Sequence, residues 1–191
     1  MRFYRLSATS FPYSTVVARR SETLPYASPF LYIHKIEKVM DSSVLRIGQA
    51  LEEAAASEIV AYYQYSVVTG ALRQLGHGDV ADEFLRIAKD ELDDHYLGLL
   101  GRMSELGYIP TRLFNIDSVS NGLSPCAYAA PVAVEDLAYT LQQNIDAEAC
   151  AIEVYSSILV LPELDQDTRE LVEGIKADEE EHKADLTKLF L

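Results

Sequence analysis

From about residue 42 onward, apolar residues recur at helical rather than alternating spacing. In the first stretch they fall at Leu51, Ala54, Ala55, Ile59, Tyr62, Tyr63 and Val67, the three-and-four spacing that gathers side chains on one face of an α-helix. Asp41, Ser42 and Ser43 offer capping oxygens at its start, and Gly76 and Gly78 stop it after about Leu75. The second helix has Asp79 as its expected cap and Val80, Phe84, Ile87, Ala88, Leu92, Leu99 and Met103 as its apolar face. It ends at Gly107, shortly before Pro110. A third helix is expected from about Val132 to Leu159, broken by Pro162, and a fourth from about Asp165 to the C-terminus.

This order makes two helical hairpins with short turns, joined by residues 108–131, which hold Pro110, Gly122, Pro125 and Pro131 and no long period. A connection of that length is unusual in a compact domain and usually has a task. It lets the second and third helices run parallel. The expected fold is therefore all-α: a four-helix bundle over residues 41–191 with one long crossover between its second and third helices. Residues 1–40 show no sustained period and read as an extended, irregular arm.

Charge narrows the function classes. The net charge is −14, which argues against a surface built for nucleic acid or acidic membranes and suits a protein that attracts cations. Residues 1–21 run the other way, with Arg2, Arg5, Arg19 and Arg20 and no acid. That start is serine-rich as well, so it also has the composition of a mitochondrial transit peptide; otherwise a cytoplasmic protein is expected. No apolar run reaches the roughly 18 residues that span a bilayer. The two cysteines, Cys126 and Cys150, are too few for a disulfide scaffold, and no CxxC pair is present for a zinc ribbon.

Candidate chemistry lies on all four helices. Glu179 and His182 are three apart on the fourth helix and share a face. Alone, an acidic run with a histidine is more often a solvated surface. Glu91 and His95 on the second helix, Glu58 on the first and Glu148 on the third change that balance. Glu58 and Glu148 stand in mostly apolar stretches, where an acid is costly unless paired or bound to a cation. Measured from the two hairpin turns, all six groups fall roughly 20–30 Å along their helices at about 1.5 Å per residue. Four carboxylates and two imidazoles at one level would repel without metal; with two divalent ions the charges nearly cancel. Glu91 and Glu179 are the candidates to bridge the two ions. The halves also echo each other: Tyr65 follows Glu58 by seven residues, as Tyr155 follows Glu148. Core packing with a bonded hydroxyl is the simplest role for both tyrosines.

A Glu on each of two helices, plus Glu and His on each of the other two, resembles the ligand set of the ferritin-like di-iron carboxylate proteins. Within that superfamily the chain is most similar to the Dps-like mini-ferritins, also called thioferritins. The likeness rests on Glu91 four before His95, then Arg102-Met-Ser-Glu-Leu-Gly107, with Cys126 in the crossover and Cys150 just after Glu148. One departure is the helix spacing. The usual motif is Glu-x-x-His, but residue 92 is Leu, so Glu91 takes the role from four residues away, with Asp94 as a substitute ligand.

The resemblance implies a di-iron centre with iron ligated by Glu58, Glu91, His95, Glu148, Glu179 and His182, manganese being the other metal such ligands suit. It implies oxidation of Fe(II) by hydrogen peroxide or dioxygen, detoxification of peroxide, and storage of the ferric product in a homo-oligomeric, dodecameric shell. It also implies a disulfide between Cys126 and Cys150 near the metals; chain lengths alone permit that pairing without requiring it. Open alternatives are a non-storing di-metal peroxidase or manganese catalase of the same fold, a DNA-protecting protein that uses the arginine arm, and a metal-free assembly bundle.

Overall fold

The computed structural model describes residues 41–126 and 133–190. The arm expected over residues 1–40, with any targeting role, lies outside the described residues. Among them every regular element is helical: α1 (Ser42–Gln74), α2 (Gly78–Lys89), a π-helical segment (Asp90–Tyr96), α3 (Leu97–Glu105), a short α4 (Ile116–Ser118) followed by π-helical Val119–Leu123, α5 (Leu137–Leu159) and α6 (Gln166–Phe190). The bundle is formed by α1, the continuous α2–π–α3 rod, α5 and α6.

Local chemistry sets the ends. Asp41 caps α1, accepting from the Ser43 N–H at 2.8 Å. Helices α1 and α3 end alike. Gly76 and Gly107 take positive φ, 86° and 69°, and the following residues close back, His77 N–H onto the Leu72 carbonyl and Tyr108 N–H onto that of Met103. This is the Schellman arrangement, which glycine enters without a Cβ penalty.

Three boundaries correct the sequence expectation. Gly78 begins α2 rather than ending α1, and His77 precedes it without a side-chain cap. Asp79 therefore sits in the first turn, where its charge complements the helix dipole. Helix α5 starts at Leu137, not near Val132, because Asp136 accepts the Tyr139 N–H at 3.0 Å and fixes the first turn there.

Packing settles which faces are buried. On α1, Tyr63 and Val67 were expected in the core but are 69% and 50% exposed; Ala61, Tyr65 and Val68 are buried in their place. The apolar run here is wider than one face, so periodicity alone picked the wrong members. The buried apolar residues form two clusters. One gathers Leu51, Ala55, Leu99, Met103, Ile158 and Val172; the other gathers Ala61, Val68, Phe84, Ile87, Leu141 and Leu186. On all four helices a short stretch separates the two clusters in sequence, and that stretch holds the candidate ligands.

The described part of the crossover, up to Cys126, is pinned at both ends. Buried Glu52 of α1 accepts from the Tyr108 hydroxyl, the Arg112 N–H and the Arg112 Nε–H, each at 2.7 Å. Further along, the Ser57 and Ser124 hydroxyls bond at 2.8 Å, and Cys126 is disulfide-bonded to Cys150 of α5 with a Cα separation of 5.8 Å. With α5 starting at Leu137, Cys150 lies about 20 Å into the helix.

Candidate metal centre

Each candidate ligand is carried to the polar layer by its helix. Glu58 comes from α1, Glu148 from α5, Glu179 and His182 from α6, and Glu91 and His95 from the π-helical segment; all six are at most 2% exposed. The π-helical segment accounts for the unusual spacing in the second helix. A π turn takes up one residue more than the α-helical spacing. Glu91 and His95, four apart, therefore meet the same layer as Glu179 and His182, three apart on a regular helix. Asp94 is exposed and belongs to neither group of converging ligand atoms.

Two groups form. Glu58, Glu91, His95 and Glu179 offer ligand atoms within 4.8 Å of one another, and so do Glu91, Glu148, Glu179 and His182. Glu91 and Glu179 belong to both. His95 Nδ1 lies 3.3 Å from Glu91, 3.4 Å from Glu179 and 3.6 Å from Glu58. His182 Nδ1 lies 3.4 Å from Glu91 and 3.5 Å from Glu179. The arrangement has approximate twofold symmetry, exchanging α1 with α5 and the α2–π–α3 rod with α6.

The tyrosine echo is part of that symmetry. The Tyr65 hydroxyl donates to Glu148, and the Tyr155 hydroxyl donates to Glu58. Each tyrosine thus serves the other hairpin's glutamate. Residue numbers rise on α1 as they fall on α5, so these two helices are antiparallel and the second and third helices of the bundle run parallel. Sequence reasoning left the tyrosines as core residues; the equal seven-residue offset was the visible signal.

A second layer was missed altogether. Each histidine turns its Nε2 outward to an aspartate that precedes a shared glutamate: His182 to Asp90 at 3.3 Å, His95 to Asp178 at 3.5 Å. The repeated Asp-Glu pair, Asp90-Glu91 and Asp178-Glu179, was legible. Such carboxylate–histidine contacts orient the ring nitrogen that faces a metal.

The electrostatics are those of a cluster that requires positive charge at its centre. Burial pushes Glu91 and Glu148 well above the usual carboxylate range, and the neighbouring Glu179 adds to both shifts. Glu179 itself is drawn down to about 2, because its burial is outweighed by the close approach of the His182 and His95 imidazoles. Burial alone would lower both histidines; the close approach of Glu179 and the surrounding carboxylate charge raise them instead.

Whether a metal fits can be tested on polar satisfaction. Among the described residues, Glu91 Oε1, Glu148 Oε2, both Glu179 oxygens and His182 Nδ1 are buried without a hydrogen-bond partner. Buried polar atoms rarely lack partners, and these are among the atoms that converge in the two groups. Hard oxygen donors with imidazole and no thiolate suit iron or manganese. The residues present can hold metal ions.

Comparison with known proteins agrees with this geometry. The family model described as "Ferritin-like domain" matches residues 48–190. The chain belongs to the ferritin-like family. Among solved structures, this ferritin-like chain is similar to a dodecameric thioferritin, the bacterioferritin-related protein from Bacteroides fragilis. The identity is 29% and the TM-score 0.69, over 83% of this chain and 91% of that one. No curated protein sequence matches at a significant level. No helix among the described residues is long and apolar enough to cross a membrane.

Proposed function

We propose that this ferritin-like chain is a ferroxidase of an iron-storing shell, which oxidises Fe(II) with hydrogen peroxide or dioxygen. The observation that carries the reading is the pair of ligand groups sharing Glu91 and Glu179. Two ions held side by side supply two electrons, so one peroxide and two protons become two waters as two Fe(II) become two Fe(III). In this reading iron is the substrate, and Glu58, Glu91, His95, Glu148, Glu179 and His182 bind it.

The chain's own part is to bind and to position. Tyr155 and Tyr65 each occupy one oxygen of Glu58 and Glu148 and leave the other to the metal. Glu91 and Glu179 reach both positions. The apolar residues on either side keep bulk water from the layer. A shell of identical subunits is part of the proposal. It is supported by the dodecameric neighbour and by exposed Tyr63 and Val67 on α1, an apolar surface available for subunit contact. The acidic balance favours drawing in Fe(II).

The test combines stopped-flow oxidation of Fe(II) with native mass and iron loading. The expected result is oxidation faster with peroxide than with dioxygen, in an oligomer that takes up far more than two irons per subunit. No rate above the protein-free control would overturn the ferroxidase reading. Oxidant turnover with loading that stops at two irons would favour the non-storing peroxidase or catalase.

A further inference from the structure

The twofold symmetry that relates the halves of the metal centre holds for the ligands, for the tyrosines and for the aspartates behind the histidines. It breaks at the next contact. Asp90, behind His182, is gripped by Arg86 at 2.8 Å, and the same guanidinium holds Glu83 at 2.5 Å and, across on α6, Asp185 at 3.2 Å. Arg86 stands four residues before Asp90. Four residues before Asp178, behind His95, stands Gly174. Among the described residues Asp178 has no lysine or arginine within salt-bridge distance, and its side chain is 54% exposed against 31% for Asp90. The consequence is visible in the rings: His182 Nε2 is hydrogen-bonded to Asp90, whereas His95 Nε2 is buried without a hydrogen bond.

From this asymmetry we infer that the two metal positions are inequivalent, and that Arg86, acting through Asp90, makes the position formed with Glu148 and His182 the tighter one. The inference rests on the metal-centre reading above. Two effects of Arg86 oppose each other. Its positive charge weakens Asp90 as an acceptor and repels a cation. Its grip fixes the carboxylate that orients His182, and ordering that carboxylate otherwise costs side-chain entropy. The grip prevails, because Arg86 is surrounded by three carboxylates and the group of four still carries net negative charge. Loss of an outer partner of a metal-binding histidine typically weakens affinity 10–100-fold. Arg86 is thus a positioning residue for one half of the centre, and Gly174 marks the half that lacks one.

The experiment is a Co(II) titration of the metal-stripped full chain by calorimetry and visible absorption, joined to anomalous diffraction at one Co(II) per subunit. Wild type is expected to bind in two steps about tenfold or more apart, with the first ion beside His182. Arg86→Gln should weaken the first step by at least about tenfold and leave the second in place. Gly174→Arg should strengthen the second step; a Cβ there meets nothing within 4 Å, so the new side chain has room. This variant also keeps the test decisive if Arg86→Gln does not fold. A first ion beside His95, equal steps in wild type, or a Gly174→Arg variant that leaves both steps unchanged would overturn the inference. Absence of any Co(II) binding would instead overturn the metal-centre reading itself.

Discussion

Breaking the Cys126–Cys150 bond tests how the crossover is held to the bundle. The bond closes a loop with a sequence separation of 24. In the chain-entropy account, cross-linking a loop of about that length removes roughly 12 cal/mol/K from the unfolded state, or about 3.5 kcal/mol at 25 °C. For a chain of this size each kcal/mol moves Tm by about 2–4 °C, so the loss corresponds to about 7–14 °C. The assay is thermal and urea unfolding of the metal-stripped protein, with and without a phosphine reductant, beside a Cys126→Ser variant. Reduction and substitution should agree, since both release the same loop. Native-state amide exchange should rise mainly between Tyr108 and Cys126, while the α5 amides, held within the helix, change little. The Ser57–Ser124 and Glu52–Arg112 contacts remain and retain part of the anchoring. A Tm change below about 2 °C, or free thiols in peptide maps of protein purified without reductant, would refute this account of the crossover.

Metal uptake should tighten as pH rises. Glu91 and Glu148 are held above their ordinary value, and so are His95 and His182. The folded metal-free chain therefore keeps protons that the unfolded chain sheds above about pH 4.5 for Glu and about pH 6.5 for His. Its stability falls as pH climbs through that window, and metal binding releases the protons. The depressed Glu179 acts oppositely, adding stability that is present above about pH 4.5 and is lost only as pH falls toward 2. Calorimetry in buffers of different ionisation enthalpy should find net proton release at pH 7, and an affinity independent of pH from 5.5 to 7.5 would contradict the shifts. Glu91→Gln should abolish or severely weaken binding at both positions, whereas Asp94→Asn should leave Co(II) affinity within about twofold; the reverse pattern in the same titration would move the ligand to Asp94. Gly48→Ala should destabilise by about 1–3 kcal/mol through overpacking, because an added Cβ would lie 2.3 Å from the Tyr108 ring and push its hydroxyl off Glu52; unchanged urea unfolding would show that the ring can yield.

Helix identity, the two hairpins, the long crossover and the level of the six candidate ligands could be read from the chain, because these depend on short-range periodicity, turn glycines and distance along a helix. Glu58 and Glu148 stood out as acids in apolar stretches, and a buried acid needs a partner whatever the details of the fold. The burial of individual faces was less legible: Tyr63 and Val67 are as apolar as the residues that displaced them, and only packing against the other helices chooses between such neighbours. The spacing of Glu91 and His95 left Asp94 open, since the choice turns on a local π-helical segment that periodicity does not report. Which groups touch was decided by tertiary structure alone. The crossed Tyr65–Glu148 and Tyr155–Glu58 bonds require α1 and α5 to pass antiparallel in one register, and a shift of one turn would break both. Arg86 and Asp90, four apart on one helix, pair locally, but the sharing of Glu91 and Glu179, the contacts of His182 with Asp90 and His95 with Asp178, and the reach of Arg86 to Asp185 join residues about 90 positions apart on different helices. Such contacts are set by the packing of whole helices, and no local pattern in the chain encodes them.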